Sequence, residues 1–204
     1  MRRELLRQQL ENYHPTDGHE IASKARMLDF LNTYENCFDR ELSCGHFTGS
    51  CWIENHDGTK FLLTLHKKIG LWLQLGGHAD GCEDLQQVAL KEAREESGLQ
   101  NFELISNDIF DVDIHMIEPY RGVPAHYHYD VRFLFRAIDD DDAIKISEES
   151  NDLKWFSELP TELSNLGKDA PRMFKKWKER KAGFATKKES TGIMLMQLIE
   201  GIIS

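Results

Sequence analysis

Between Gly76-Gly77-His78 and Gly98-Leu99 lies a segment that reads as a single helix with a divided inner face. With residues 83–97 taken as helical and advanced by about 100° per residue, Leu85, Val88 and Ala89 form an inward stripe. Glu92, Glu95 and Glu96 continue that stripe. It is apolar for two turns and then strongly acidic. A fold that accepts this helix must set a carboxylate cluster where burial normally demands apolar side chains.

Glutamates at i, i+3 and i+4 repel one another by roughly 0.2–0.5 kcal/mol per pair on a solvated helix, and by more where water is partly excluded. A divalent cation relieves that repulsion, and a carboxylate cluster suits a hard ion such as Mg2+. The plain alternative is a solvated acidic face paired with lysines. On the helix alone both readings stay open.

The wider pattern, Gly77-x5-Glu83-x7-Lys91-Glu92-Ala93-x-Glu95-Glu96-x-Gly98-Leu99, resembles the signature box of the Nudix hydrolases. Gly76 and Gly77 let the backbone turn tightly and approach a ligand, and Gly98 suits the left-handed position that ends a helix. The resemblance implies an α/β fold: a Nudix-type α/β/α sandwich with a mixed sheet. It also implies divalent-metal-dependent hydrolysis of a diphosphate linkage in a nucleoside diphosphate derivative, with Mg2+ or Mn2+ as cofactor. On that reading Glu92, Glu95, Glu96 and the Gly76 carbonyl hold the metal, while Glu83 and Lys91 orient the ligands from outside. The box departs from the family at three positions. Lys91 replaces an arginine and lacks its planar fork, so looser ordering of the carboxylates is expected. Ala93 is smaller than the usual aliphatic residue, and Leu75 stands where close relatives often carry proline.

Two further features bear on chemistry. Nudix proteins often place a glutamate six residues before the tryptophan that opens the last core strand. By that spacing from Trp155, Glu149 is implied as metal ligand or general base, with Glu92 as the substitute base; an exposed acidic loop without a role is the alternative. In His126-Tyr127-His128-Tyr129-Asp130-Val131-Arg132, period-two alternation puts His126, His128, Asp130 and Arg132 on one strand face. That face could line the substrate cleft, bind a transition metal, or be a structural face whose histidines are satisfied by Asp130. Together with Gly45–Ser50 and the histidine after the paired glycines, His78, this strand is similar to a bacterial Nudix subgroup with an amino-terminal helical extension. Members of that subgroup have been linked to nucleoside diphosphate sugars. The proline and tyrosine markers of ADP-ribose and dinucleoside polyphosphate members would fall near His115 and Met116, where this chain has neither.

The 204 residues carry a net charge of −10, which argues against nucleic acid or an anionic membrane as partner. A small nucleotide-type substrate remains compatible, because metal ions screen the repulsion locally. No apolar run approaches a membrane span, and the charged start lacks a signal-peptide core. Cys37, Cys44, Cys51 and Cys82 show no CxxC pairing and read as reduced thiols of a cytoplasmic protein.

Three zones are expected. Residues 1–40 form a helical extension, with helices over Arg2–Tyr13 and Asp17–Asn36 split by Pro15. The second helix presents Ile21, Ala25, Leu28 and Leu31. Residues 41–165 form the catalytic domain, with strands over Phe47–Glu54 and Lys60–His66 around the turn Asn55-His56-Asp57-Gly58. Further strands follow at Phe102–Ile117, Ala125–Ala137 and Leu153–Phe156. Residues 166–204 form a second helical extension, with a basic helix over Asp169–Lys181 and an apolar one over Thr191–Ile203. The apolar tail must be covered by the domain or by a second copy in a homodimer. The functional alternative is a non-catalytic Nudix module that senses a nucleotide-like ligand, with an isomerase on the same fold more distant.

Overall fold

The structure, a computed structural model, describes residues 2–120 and 122–183. The chain divides into two compact units, one ending at Gly167 and one beginning at Lys168. The first contains α1 (Arg2–Asn12), α2 (Gly18–Thr33), β1 (Gly45–Glu54), β2 (Phe61–His66), β3 (Trp72–Leu73) and β4 (Leu75–His78). It continues with α3 (Leu85–Ser97), β5 (Phe102–Leu104), β6 (Asp111–Ile117), β7 (His126–Ala137), a single 3-10 turn (Asp141–Ala143) and β8 (Ser150–Phe156).

The strands make one mixed, curled sheet of eight. Its centre is a parallel pair, β1 and β7, in register from Gly45↔Tyr127 to Glu54↔Arg136. β4 runs antiparallel along the other edge of β1, from Thr48↔His78 to Cys51↔Leu75. β6 and then β5 flank β7. The expected turn after β1 forms: Gly58 N–H donates to the Asn55 carbonyl at 2.9 Å, and Lys60 N–H donates to Asn55 Oδ1 at 2.8 Å. The hairpin does not extend, however. After the single pair Glu54↔Phe61, β2 leaves β1 and pairs with β8 and β3. That departure curls the sheet.

Alternation gives the sheet two unlike faces. Phe47, Cys51 and Ile53 of β1 and Tyr129, Val131, Phe133 and Phe135 of β7 are buried within one continuous apolar core. Leu85, Val88, Ala89 and Ala93 of α3 and Met27, Phe30 and Leu31 of α2 belong to the same core. α3 sits directly on the sheet at Gly49, where a Cβ would lie 2.6 Å from the Leu85 carbonyl oxygen. Phe30 stacks on Tyr129 at 3.9 Å between ring centroids. Leu6 and Leu10 of α1 join this core, so the amino-terminal helices and the sheet share one interior. Arg3 ties the two helices together, donating to the carbonyls of Leu31, Tyr34 (2.8 Å) and Glu35 (3.1 Å) at the carboxyl end of α2.

The expected inner face of α2 is displaced. Ile21 is 60% exposed and Ala25 is also exposed, while Glu20, Ser23, Met27, Phe30 and Leu31 are buried. Glu20 can point inward because the Tyr13 hydroxyl, Thr16 N–H (2.7 Å) and Thr16 hydroxyl (2.6 Å) all donate to its carboxylate. Asp17 caps the helix by accepting from Glu20 N–H at 2.8 Å.

The opposite sheet face is polar yet enclosed. Arg132 of β7, 1% exposed, donates to Asp130 Oδ2 at 2.7 Å and Asp111 Oδ1 at 2.9 Å, with Asp113 Oδ2 at 3.6 Å. Asp130 Oδ1 accepts from Thr48 at 2.8 Å and Ser50 at 2.7 Å. One guanidinium thus links β6, β7 and β1.

In the second unit a helix runs over residues 170–183. Part of its expected basic side lies on its own aromatics: Lys178 sits 5.2 Å from the Phe174 ring centroid, and Lys181 sits 4.5 Å from that of Trp177. The apolar helix expected over Thr191–Ile203 lies outside the described residues. Among the described residues no helix is long and apolar enough to cross a membrane.

Removing the shared cation leaves buried carboxylates uncompensated, which typically costs about 3–5 kcal/mol. Arg132→Leu is therefore expected to lower folding stability by about that amount. Urea denaturation should show it as a lowered midpoint at unchanged slope.

Candidate active site

The acidic helix takes its position from local chemistry at both ends. Asp84 is its N-cap, accepting from Gln87 N–H at 3.3 Å. Gly98 ends it in the left-handed conformation, φ 73°, with its N–H on the Arg94 carbonyl at 3.0 Å. Between them, Leu85, Val88, Ala89 and Ala93 fix which way the helix faces, and the glutamates follow from that phase.

Glu92 and Glu96 turn inward, and Glu95 does not. Glu96 is 7% exposed, and the side chain of Glu92 is largely enclosed. Glu95 is exposed beside Lys91, which lies 3.1 Å from Glu95 Oε2 and 3.2 Å from Glu92 Oε1. The expected acidic stripe therefore splits, because Ala93 takes the core position that would have turned Glu95 inward.

β4 supplies the opposite wall. A Cβ on Gly77 would lie 2.6 Å from the Glu92 carboxyl carbon, and one on Gly76 would lie 2.1 Å from Ser50 Oγ. At Gly76 a Cβ would also meet the Ser50 backbone at 2.6 Å, so glycine lets β4 lie close against β1 beside the carboxylate. The Gly76 backbone favours the charged form of Glu96. Even so, burial, then Glu92 and then Glu149 push the Glu96 carboxyl up to about 8. Burial also raises Glu92, opposed by Lys91 and reinforced by Glu95 and Glu149. Below them the enclosed Cys51 thiol is raised by burial and then by Glu96 and Glu92.

Glu149 is exposed on the loop that enters β8, and its carbonyl is anchored by Lys67 N–H at 2.8 Å. Its charge acts on Glu92, Glu96, His66 and His78. Glu83 is placed differently: its Oε2 accepts from Arg3 N–H at 3.1 Å, while Arg2 pairs with the neighbouring Asp84 at 2.9 Å. It anchors the start of α1 to the start of α3.

Asp130 and Arg132 are committed to the buried network described above. His126 and His128 lie with His78 in a histidine group that also takes in His46, 2% exposed, and His115. Burial and the neighbouring rings lower His46 to about 4 and lower His128 further. His46, His115, Asp111 and Asp113 were not singled out from sequence. The signal was present in Asp111-x-Asp113-x-His115 and His46-x-Thr48-x-Ser50, which carry the same period-two polar face as His126–Arg132.

The donor set at the carboxylates fits a divalent cation. Glu92, Glu96 and Glu149 offer hard oxygen donors, and their mutual repulsion is the excess negative charge that such an ion neutralises. The NUDIX domain matches residues 46–177. The chain belongs to the Nudix family. Nudix hydrolases use divalent metal ions, and membership makes this chain a Nudix-type pyrophosphohydrolase. Among solved structures, it is similar to a C. elegans Ap4A hydrolase in a binary complex, at 21% identity and TM-score 0.53, over 67% of this chain and 98% of that one. It is also similar to a MutT protein from Methanosarcina mazei Go1, at 19% identity and TM-score 0.51, over 66% and 94%. A NUDIX-family hydrolase from Clostridium perfringens matches at 25% identity and TM-score 0.47, over 65% and 96%. The first two likenesses are of fold. No curated protein sequence matches the chain.

The raised Glu96 carboxyl has a consequence for the metal-free protein. An acid whose pKa is higher folded than unfolded stabilises the fold at low pH and loses that contribution as pH rises through its folded value. Without metal, stability should fall by up to about 1.4 kcal/mol per pH unit between about pH 5 and pH 8. Glu96→Gln should flatten that slope and be the more stable protein at pH 8, as read by thermal melts in chelator across this range.

Proposed function

We propose that this Nudix protein hydrolyses a diphosphate linkage in a nucleoside diphosphate derivative with Mg2+ or Mn2+, and that nucleoside diphosphate sugars are its first candidate class. The observation that carries the proposal is Glu92 packed against the backbone at Gly77 with Glu96 buried one turn on, both carboxyls feeling the charge of Glu149. A cation relieves the repulsion within such a cluster, and a diphosphate brings negative oxygens to the same cation.

Glu92 and Glu96, with the Gly76 carbonyl, would hold the ion, and Glu95 would join from the rim by rotating away from Lys91. When bound, the ion neutralises the diphosphate oxygens and polarises the phosphorus for attack. Glu149, on its exposed loop, takes the proton of the attacking water. The new P–O bond forms as the bridging P–O bond breaks, giving a nucleoside monophosphate and a phosphorylated remainder. Lys91 restrains Glu92 from the solvent side. Gly77 leaves the space that the Glu92 carboxylate occupies.

Phosphate release, with a phosphatase coupled where the products are phosphomonoesters, should be measured on nucleoside diphosphate sugars, ADP-ribose, dinucleoside polyphosphates and nucleoside triphosphates, each with Mg2+ or Mn2+. Turnover is expected to require the ion. It should fall by about 10²–10⁴ in kcat in Glu149→Gln, the range that general-base catalysis contributes, and at least as far in Glu96→Gln. Full turnover in Glu149→Gln would move the base elsewhere. A folded protein silent on every diphosphate would sink the substrate reading.

A further inference from the structure

The polar face of the sheet gathers histidines from four neighbouring strands. The register sets His46 of β1 opposite His128 of β7, and His128 opposite His115 of β6. His78 of β4 stands opposite Thr48, one diagonal step from His46. The rings of His46, His78 and His128 are mutually 4.9–5.0 Å apart between centroids. One nitrogen from each lies within 4.8 Å of the other two.

These nitrogens are conspicuous for what they lack. His46 is 2% exposed, and neither of its ring nitrogens has a hydrogen-bond partner. His128 Nε2 is likewise buried without one. An unsatisfied buried polar group costs about 1–3 kcal/mol, and native interiors contain few. Here two adjacent rings carry three such nitrogens, aimed into a group whose third member is also an imidazole. We propose that His46, His78 and His128 bind one first-row divalent transition ion of the Zn2+ class, at a centre separate from the carboxylates.

The chemistry selects the ion. Neutral imidazoles suit Zn2+, Co2+ or Ni2+, whereas Mg2+ takes oxygen donors. A tetrahedral site with Zn–N near 2.0–2.1 Å needs nitrogens about 3.3 Å apart, so side-chain rotations of roughly an ångström close the triangle. His126 is placed for the fourth position, with its ring 5.0 Å from that of His46 and its Nδ1 2.9 Å from the Pro124 carbonyl oxygen. Such a carbonyl contact is the one that commonly orients a metal-binding imidazole and leaves the other nitrogen for the ion. The ion would also be structural. β4 is held to β1 by four residue pairs, and a bond through His78 would pin it to β1 and β7 together.

The test uses the full chain, stripped with chelator and held in excess Mg2+ so that the carboxylate site is occupied. Zn2+ is titrated calorimetrically, and Co2+ is followed by visible absorption. The expected result is one equivalent bound, a tetrahedral cobalt spectrum and a raised melting temperature. All three should be retained in Glu96→Gln and in Cys44→Ser/Cys82→Ser, which removes the exposed thiols. Affinity should fall by more than about 100-fold in His78→Asn and in His128→Asn, beyond the 10–100-fold that loss of an outer contact costs. His78 is only half-buried, so its variant should fold, which circular dichroism would establish. No binding in excess Mg2+ would overturn the proposal. So would binding unchanged in folded His78→Asn, or binding lost with the thiols or with Glu96. Because the readout is metal binding and not turnover, its failure is distinct from a failure of the hydrolase reading.

Discussion

A single buried guanidinium organises this fold. Asp111, Asp113 and Asp130 stand on one face of adjacent strands and would repel one another if left alone. Arg132 on the same face gives all three a counter-charge, and Asp130 passes the restraint to β1 through Thr48 and Ser50. Such a network does not by itself make a protein more stable than an apolar equivalent would. What it supplies is register. A slip of one residue in β7 would swing Arg132 into the apolar face beside Gly49 or Cys51 and under α3, so only one alignment satisfies the charges. The β1–β7 pair needs that specification, because it is parallel and its strands are separated by most of the domain.

Once the register is set, the site follows. The face opposite Arg132 becomes uniformly apolar and accepts α3 along Leu85, Val88 and Ala93. The helix phase then turns Glu92 and Glu96 toward β4, the short strand on the free edge of β1. Carboxylates come to lie partly out of water because the apolar residues one turn earlier on the same helix must be buried. The energetic strain at Glu96 is thus imposed by the packing that stabilises the rest of α3, and an ion at the site would relieve it.

Features with a local period were legible in the sequence. The acidic helix, its Gly98 terminus, the Asn55–Gly58 turn and the alternation along His126–Arg132 all follow from spacing within one element. What escaped was set by distant partners. Ile21 looks like the natural inner residue of α2, but Tyr13 and Thr16 satisfy Glu20 and turn the helix so that the glutamate faces inward. Glu95 fits an inward stripe on paper, yet the rotation fixed by Ala93 leaves it in solvent. Asp130 and Arg132 read as a cleft face because Asp111, twenty-one residues earlier than Arg132, gives no sign of its contact until β6 and β7 are paired. Single strands announce a polar face. They do not announce which other polar faces they will meet.

The same distinction bears on Lys91. Judged from the box alone, exchanging arginine for lysine should loosen the carboxylates, because a point charge cannot grip one carboxylate through two parallel hydrogen bonds. Lys91 does divide itself between Glu92 and Glu95, and its side chain is 62% exposed, so its hold on either is weak. Glu92 meets a second wall, because the backbone at Gly77 closes the space on its other side, where a Cβ would lie 2.6 Å from the carboxyl carbon. In this chain orientation of the inner carboxylate rests on the position of β4 as well as on a cation. That shifts the burden to whatever fixes β4, a strand of four residues with one paired edge and a histidine at its end.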